Sequence, residues 1–191
     1  MKKDSKLIIC YAILLILIVS LIFTNYINPI DQYVYQFIQT QTLAFRLHNY
    51  LSIISFLFSP LHSGILICVL LIGLYFYNRR NLLQYFIFSF SSLFIGTALK
   101  YIIQRPRPSD LIDGYSFPSM HTLTLFVAIF LILALYNHVT VKWITAILIL
   151  SMMCSRIYLS AHFFSDTVAS LIIVHLVYLS VTKFMHQSSR L

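Results

Sequence analysis

The sequence predicts an all-α fold: a polytopic bundle of six transmembrane helices, with interfacial helices between spans one and two. Three observations predict it. Of the 191 residues, 60% are hydrophobic and only 9% are charged. Apolar runs near the roughly 20 residues that a spanning helix needs recur along the chain. Short polar or proline-bearing segments separate them, with no internal repeat and no low-complexity linker. One membrane domain, residues 1–191, is the organisation this implies.

The first span runs from Leu7 to about Ile27 and is stopped by Asn28-Pro29. It follows Met-Lys-Lys-Asp-Ser-Lys, is too long for a signal-peptide core and lacks an Ala-x-Ala end, so it reads as an uncleaved span. Asp31 to Phe58 carries Gln32, Gln36, Gln39, Gln41, Arg46 and His48. That stretch is too polar to cross and reads as one or two helices lying on the membrane. Ser59-Pro60 has the form of an N-cap followed by a first-turn proline. The second span follows to about Tyr77, ending at Asn78-Arg79-Arg80-Asn81. Span three is Leu82 to about Ile103. Span four starts near Ser119 and ends at Asn137-His138. Span five is Val141 to about Ser160, and span six is Phe163 to about Lys183.

Six spans put both termini on one side. Lys2, Lys3, Lys6, Arg79, Arg80, Lys142, Lys183 and Arg190 fall on that side, and outside the polar clusters below only Arg46 falls opposite. The positive-inside rule makes the basic side cytoplasmic. The formal charge of +8 therefore reflects topology. The basic residues are scattered over helix ends, form no stripe and accompany no nucleic-acid motif, so no nucleic-acid partner is implied. Cys10, Cys68 and Cys154 lie in apolar stretches without CxxC spacing and read as small core or lipid-facing residues. The acidic residues number five, all Asp, and no His/Cys/Asp set has metal-ligand spacing. No metal, other cofactor or obligatory protein partner is expected.

Three polar clusters interrupt the apolar chain. They are Lys100 to Arg107-Pro108, then Pro118-Ser119-Met120-His121, then Ser155-Arg156 followed by His162 and Asp166. Charges near lipid are costly, about 2.5–3.5 kcal/mol each at a bilayer centre, and are seldom present without a use. By the span assignment all three clusters reach the extracytoplasmic face. Each alone has a plainer reading: snorkelling cations, a helix start, a His–Asp helix cap. Their convergence on one face points instead to a single anion site. Lys100, Arg107 and Arg156 are candidate phosphate clamps, because Arg forks match phosphate oxygens in pairs and Lys adds a point charge. Arg105 is an equally basic neighbour that spacing barely separates from Arg107. Ser119 can cap span four, leaving free N–H groups in its first turn that favour an anion beside His121, a candidate general acid. His162 and Asp166 share a helix face at a spacing of four. The carboxylate can accept from one imidazole nitrogen and leave the other free to attack. His62 could border the site. His175 reads as a bonded core histidine, and His48, His138 and His186 as loop or interface residues.

At these residues the chain resembles the type 2 phosphatidic acid phosphatase (PAP2) superfamily. That signature has three parts in order: Lys-x6-Arg-Pro, Pro-Ser-Gly-His and Ser-Arg-x5-His-x3-Asp. The first matches from Lys100 to Pro108, and the third from Ser155 to Asp166. The second matches with Met120 where Gly is usual. The resemblance implies a metal-independent membrane phosphatase acting on a lipid phosphate or diphosphate. In that reading His162 becomes phosphohistidine, Asp166 orients it and His121 protonates the leaving oxygen. Lys100, Arg107, Arg156 and Ser119, with the Met120 N–H, hold the phosphoryl oxygens. Undecaprenyl diphosphate, phosphatidylglycerophosphate, phosphatidic acid and lipid A are the substrate types it suggests, with membrane lipids as the surroundings. Transfer of the phosphoryl group to another lipid would use the same intermediate. Vanadate haloperoxidases share the signature but are soluble. A non-enzymatic transporter or structural subunit would spread charge through the membrane depth, and here it gathers at one face. Met120 is expected to reshape the pocket without removing a reacting group.

Overall fold

The structure, a computed structural model, describes residues 2–77 and 79–188. Asn78 and Arg190, named above at the turn after span two and on the basic side, lie outside the described residues, as do the side chains of Lys2 and Lys3. Among the described residues there are eight helices and no strand: α1 (Lys2–Phe23), α2 (Asn28–Ala44), α3 (His48–Leu57), α4 (Pro60–Tyr77), α5 (Arg79–Ile103), α6 (Met120–Leu135), α7 (Val139–Tyr158) and α8 (Phe164–Ser188).

Five of them, α1, α4, α5, α7 and α8, contain stretches long and apolar enough to cross a membrane. Their outer faces leave large side chains such as Ile13, Ile16, Phe76, Phe94 and Trp143 exposed, a surface suited to lipid and not to water. The sixth predicted span, α6, is apolar but has only 16 residues. It packs against α4, α5, α7 and α8 and supplies Leu123, Val127, Ala128 and Leu131 to the core. Ile67 and Leu74 of α4, Phe88 of α5, and Ile173, Val174 and Val177 of α8 complete that cluster.

Two boundaries differ from expectation. The first span ends at Phe23, earlier than Ile27, because Asn25 turns the chain with a left-handed φ of 62°. Asn28-Pro29 then opens a helix, since a first-turn proline lacks only an N–H that no helix uses. The polar stretch that follows forms two helices, broken at Arg46, whose φ is 53°. Helix α2 packs on α7 and α8, and α3 packs on α7. At the start of α4, Ser59 Oγ accepts from the His62 N–H at 3.4 Å, the cap that Ser59-Pro60 predicted.

Candidate active site

Four helix ends meet at one end of the bundle: the last turn of α5, the first of α6, the last of α7 and the first of α8. Local chemistry turns the chain there. Helix α7 closes through Ser160, with a left-handed φ of 52°, and the N–H groups of Ala161 and His162 both donate to the Arg156 carbonyl at 3.2 Å. His162 is thereby folded back beside the helix that carries Arg156. The start of α6 is tied to α8 by Ser170 Oγ, which donates to the carbonyls of Ser119 and Asp166 at 3.0 and 2.8 Å.

The His162 ring is buried and held from one side. Its Nδ1 lies 2.6 Å from the Ser116 carbonyl, an acceptor only, so Nδ1 carries the proton. Nε2 then carries the lone pair, which accepts from Arg107 Nη1 at 3.5 Å, a long bond that an incoming phosphoryl group can replace. The expected partner, Asp166, has its Oδ2 3.8 Å from Nδ1, beyond hydrogen-bond reach. The immediate orienter is therefore a backbone carbonyl, with the carboxylate as a near negative charge. Burial lowers the His162 pKa to about 4; Asp166 opposes that shift, and Arg156 and Lys100 add to it. The ring is neutral at physiological pH.

The predicted clamps are held by carbonyls and one hydroxyl, which do not neutralise them. Arg107 donates from Nε to the Asp113 carbonyl at 3.0 Å and from Nη1 to the Ala161 carbonyl at 2.9 Å. Lys100 Nζ donates to the Tyr115 carbonyl at 2.8 Å. Arg156 Nη1 donates to Ser55 of α3, while its buried Nε has no hydrogen-bond partner among the described residues. A buried donor left open in this way is what an incoming anion satisfies. Arg156, His162, Arg107 and Lys100 all lie near enough to His121 to act on it electrostatically.

Ser119 stands at the N-cap of α6 with extended backbone, but makes no side-chain cap; its Oγ accepts from Thr122 Oγ1 at 3.1 Å. The N–H groups of the first turn thus remain uncapped by any side chain, as an anion site requires. Met120 turns its thioether away, into the packing between α5 and α6, where a Cβ on Gly96 would stand 3.4 Å from its Sδ. Only its N–H remains for an anion.

Arg105 is not a free clamp. Its Nη2 donates to Asp31 Oδ2 at 2.8 Å and its Nη1 to Asp166 Oδ1 at 2.7 Å, with Ser165 Oγ also 2.7 Å away. His62 does not join these side chains; it is exposed and turned to Ser59 Oγ and the Phe56 carbonyl. His175 sits among Tyr11, Phe126 and Phe130, a core histidine as expected. Among the described residues no three His, Cys or Asp side chains gather as a metal site. A cavity of about 430 Å³ opens beside His162 and Arg107, lined from α2 by Asn28, Asp31, Gln32 and Tyr35.

The family model described as the PAP2 superfamily matches residues 81–190, more than half of the 191 residues. The chain belongs to the PAP2 superfamily. No curated protein sequence matches it. Among solved structures, this PAP2 protein resembles a transmembrane PAP2-type phosphatidylglycerolphosphate phosphatase from Bacillus subtilis, at 22% identity and a TM-score of 0.76, over 98% of each chain. It also resembles LpxE of Aquifex aeolicus, at 20% identity and a TM-score of 0.64, over 80% of this chain and 94% of that one. At these identities the likeness is one of fold.

Sequence reasoning missed Ser116, Asp31, Ser55 and the carbonyls of Tyr115 and Asp113. Asp31 alone left a signal: it is the acidic residue in the first turn of α2, in a chain with five acidic residues.

Proposed function

We propose that this protein is an integral membrane lipid phosphatase, one domain over residues 1–191, that works through a phosphohistidine. One observation carries the reading: His162 donates its Nδ1–H to the Ser116 carbonyl in a hydrogen bond, leaving an unprotonated Nε2 beside the Arg107 guanidinium at the cavity wall. Nε2 attacks phosphorus, the Nε2–P bond forms and the P–O bond to the lipid breaks. His121 supplies the proton to that oxygen. The same histidine then takes a proton from water, whose oxygen displaces Nε2 and releases phosphate. Lys100, Arg107, Arg156 and the first-turn N–H groups after Ser119 stabilise the charge on the equatorial oxygens, which is most of what phosphoryl transfer asks of a protein. Positive side chains take the part a divalent ion plays elsewhere, so turnover persists in chelator. The substrate is a lipid phosphate or diphosphate of the phosphatidylglycerophosphate, undecaprenyl diphosphate, phosphatidic acid or lipid A type.

Helix α6 counts as a sixth span in this reading. It is short, but it is enclosed by protein, where its ends can be satisfied without lipid contact. Both termini are then cytoplasmic, the site is extracytoplasmic, and α2 and α3 lie at the outer interface. Arg79, Arg80, Lys142 and Lys183, at the end of the bundle away from His162, support that orientation. The deciding experiment is phosphate release from a panel of lipid phosphates by the purified protein, with and without chelator, with His162→Ala as the control. Equal release by wild type and variant would sink the reading; phosphate recovered on a second lipid would make the enzyme a transferase. For topology, Asp113→Cys should react with an impermeant thiol reagent on intact cells and Asn81→Cys should not, both in a cysteine-free background.

A further inference from the structure

The N-terminus of α8 receives two carboxylates. Asp166 is its own, and Asp31 arrives from α2, 135 positions earlier in the chain. Asp31 Oδ1 accepts the Ser165 N–H at 2.8 Å, and its Oδ2 accepts the Ser165 hydroxyl at 2.8 Å. Asp166 Oδ2 accepts the Phe163 N–H at 2.9 Å. Arg105 lies between them, donating Nη2 to Asp31 and Nη1 to Asp166, and its Cζ sits 3.9 Å from the Phe163 ring centroid. Asp31, Arg105 and Asp166 are all buried. The arrangement holds one cation against two anions, so it leaves a net charge of −1 a short distance behind the His162 ring.

We propose that Asp31 is a positioning residue for the reaction. Through Arg105 it fixes the Asp166 carboxylate, and through Ser165 it fixes the start of α8. With Arg105 between them, the two carboxylates leave the cluster one net negative charge, which favours the phosphorylated, cationic imidazole of His162. The inference rests on the phosphohistidine reading. It follows from the geometry that Asp31 need not touch substrate to matter. A guanidinium bonded to one carboxylate alone could rotate. Bonded at both ends and stacked on Phe163, it can hold Asp166 Oδ2 facing Nδ1. Nucleophile misplacement of about 1 Å can cost about 100-fold in rate. Asp31 also reaches the lining of the cavity with its α2 neighbours, though only 2% exposed, so the same aspartate couples that wall to the reacting histidine.

The charge count separates this role from simple scaffolding. In Asp31→Asn the cluster becomes neutral; in Arg105→Gln it becomes −2; in the double variant it returns to −1. The groups facing His162 are Lys100 of α5, Arg105 and Arg107 of the following loop, His121 of α6, Arg156 of α7, Asp31 of α2 and Asp166 of α8; the variants change only the first member of the Asp31–Arg105 pair, the second, or both. The experiment measures kcat, KM and the acid limb of kcat/KM on a lipid phosphate, with trapped phosphoenzyme and thermal unfolding followed in parallel. Asp31→Asn should lower kcat by about 10- to 100-fold with KM within about threefold, and move the acid limb to lower pH. Arg105→Gln should move it to higher pH. The double variant, which removes a buried pair together, should keep its fold, restore the limb and remain slow. Folded single variants with an unmoved limb, or a double variant with wild-type kcat, would overturn the role of Asp31. Absence of phosphoenzyme in wild type would overturn the underlying reading instead, so the two failures are distinct.

Discussion

Arg105 and Arg107 are two residues apart on one loop, and they stand in opposite conditions. Arg105 is buried and spent on two carboxylates, a serine hydroxyl and an aromatic face. Arg107 is half-buried and bonded to two neutral carbonyls, with the His162 Nε2 beside it. A cation already balanced by carboxylates holds the structure together. A cation held only by dipoles keeps its charge for a ligand. The region behind His162 is of the first kind, and the region in front of it is of the second. Sorting the basic residues by what neutralises them therefore locates the reacting side, where counting them does not.

The sharpest break in that contrast is between nucleophile and scaffold. His162→Ala should lower turnover by more than about 10,000-fold, the scale of losing a nucleophile, and abolish trapped phosphoenzyme. Its thermal midpoint should stay close to wild type. Retained phosphoenzyme would place the nucleophile elsewhere. Next, the two arginines should part company. Arg107→Gln should cost about 100- to 1,000-fold in kcat, the scale of one donor aimed at developing charge, while leaving stability within about 1 kcal/mol. Arg105→Gln breaks a buried pair and should destabilise by about 3–5 kcal/mol, seen as a clear fall in the unfolding midpoint. If both variants unfold alike, the division between them is wrong.

A smaller effect is set by pH. Unfolded His162 binds a proton near its ordinary value of 6.5, whereas the folded ring binds one only near about 4. Between these values the unfolded state holds more protons, so stability falls as pH drops from 6.5 toward 4. That part of the slope should vanish in His162→Gln, measured by thermal unfolding across the window. The smallest effect is expected at Met120. Its thioether packs between helices, so Met120→Gly should cost about 2 kcal/mol or less of stability and leave phosphoenzyme formation intact. A large shift in relative rates across the lipid panel would mean the side chain reaches the substrate after all.

Much of this was legible in the residues. The apolar runs gave five helices of spanning length and the short α6, and the three polar clusters do meet at one end of the bundle. What stayed hidden shares a physical reason. Ser116, Tyr115 and Asp113 act through carbonyl oxygens, which every residue possesses, so no residue type marks them. Asp31 and Ser55 act across the fold from helices whose polar character suggested only an interface. Arg105 and Arg107 look alike in sequence because charge is local, whereas neutralisation depends on partners that only folding brings near.

The loop between α5 and α6 carries one more consequence. Three of its carbonyls, at Asp113, Tyr115 and Ser116, separately hold Arg107, Lys100 and His162, while Leu111 on the same loop is 96% exposed. It works as a jig: its path sets the spacing of the tools, and the identity of most of its own side chains is indifferent. Substitutions at Leu111 should pass unnoticed, yet deleting that single residue would shift the three carbonyls relative to Arg107 and Lys100. Length, not lettering, is what this segment must preserve.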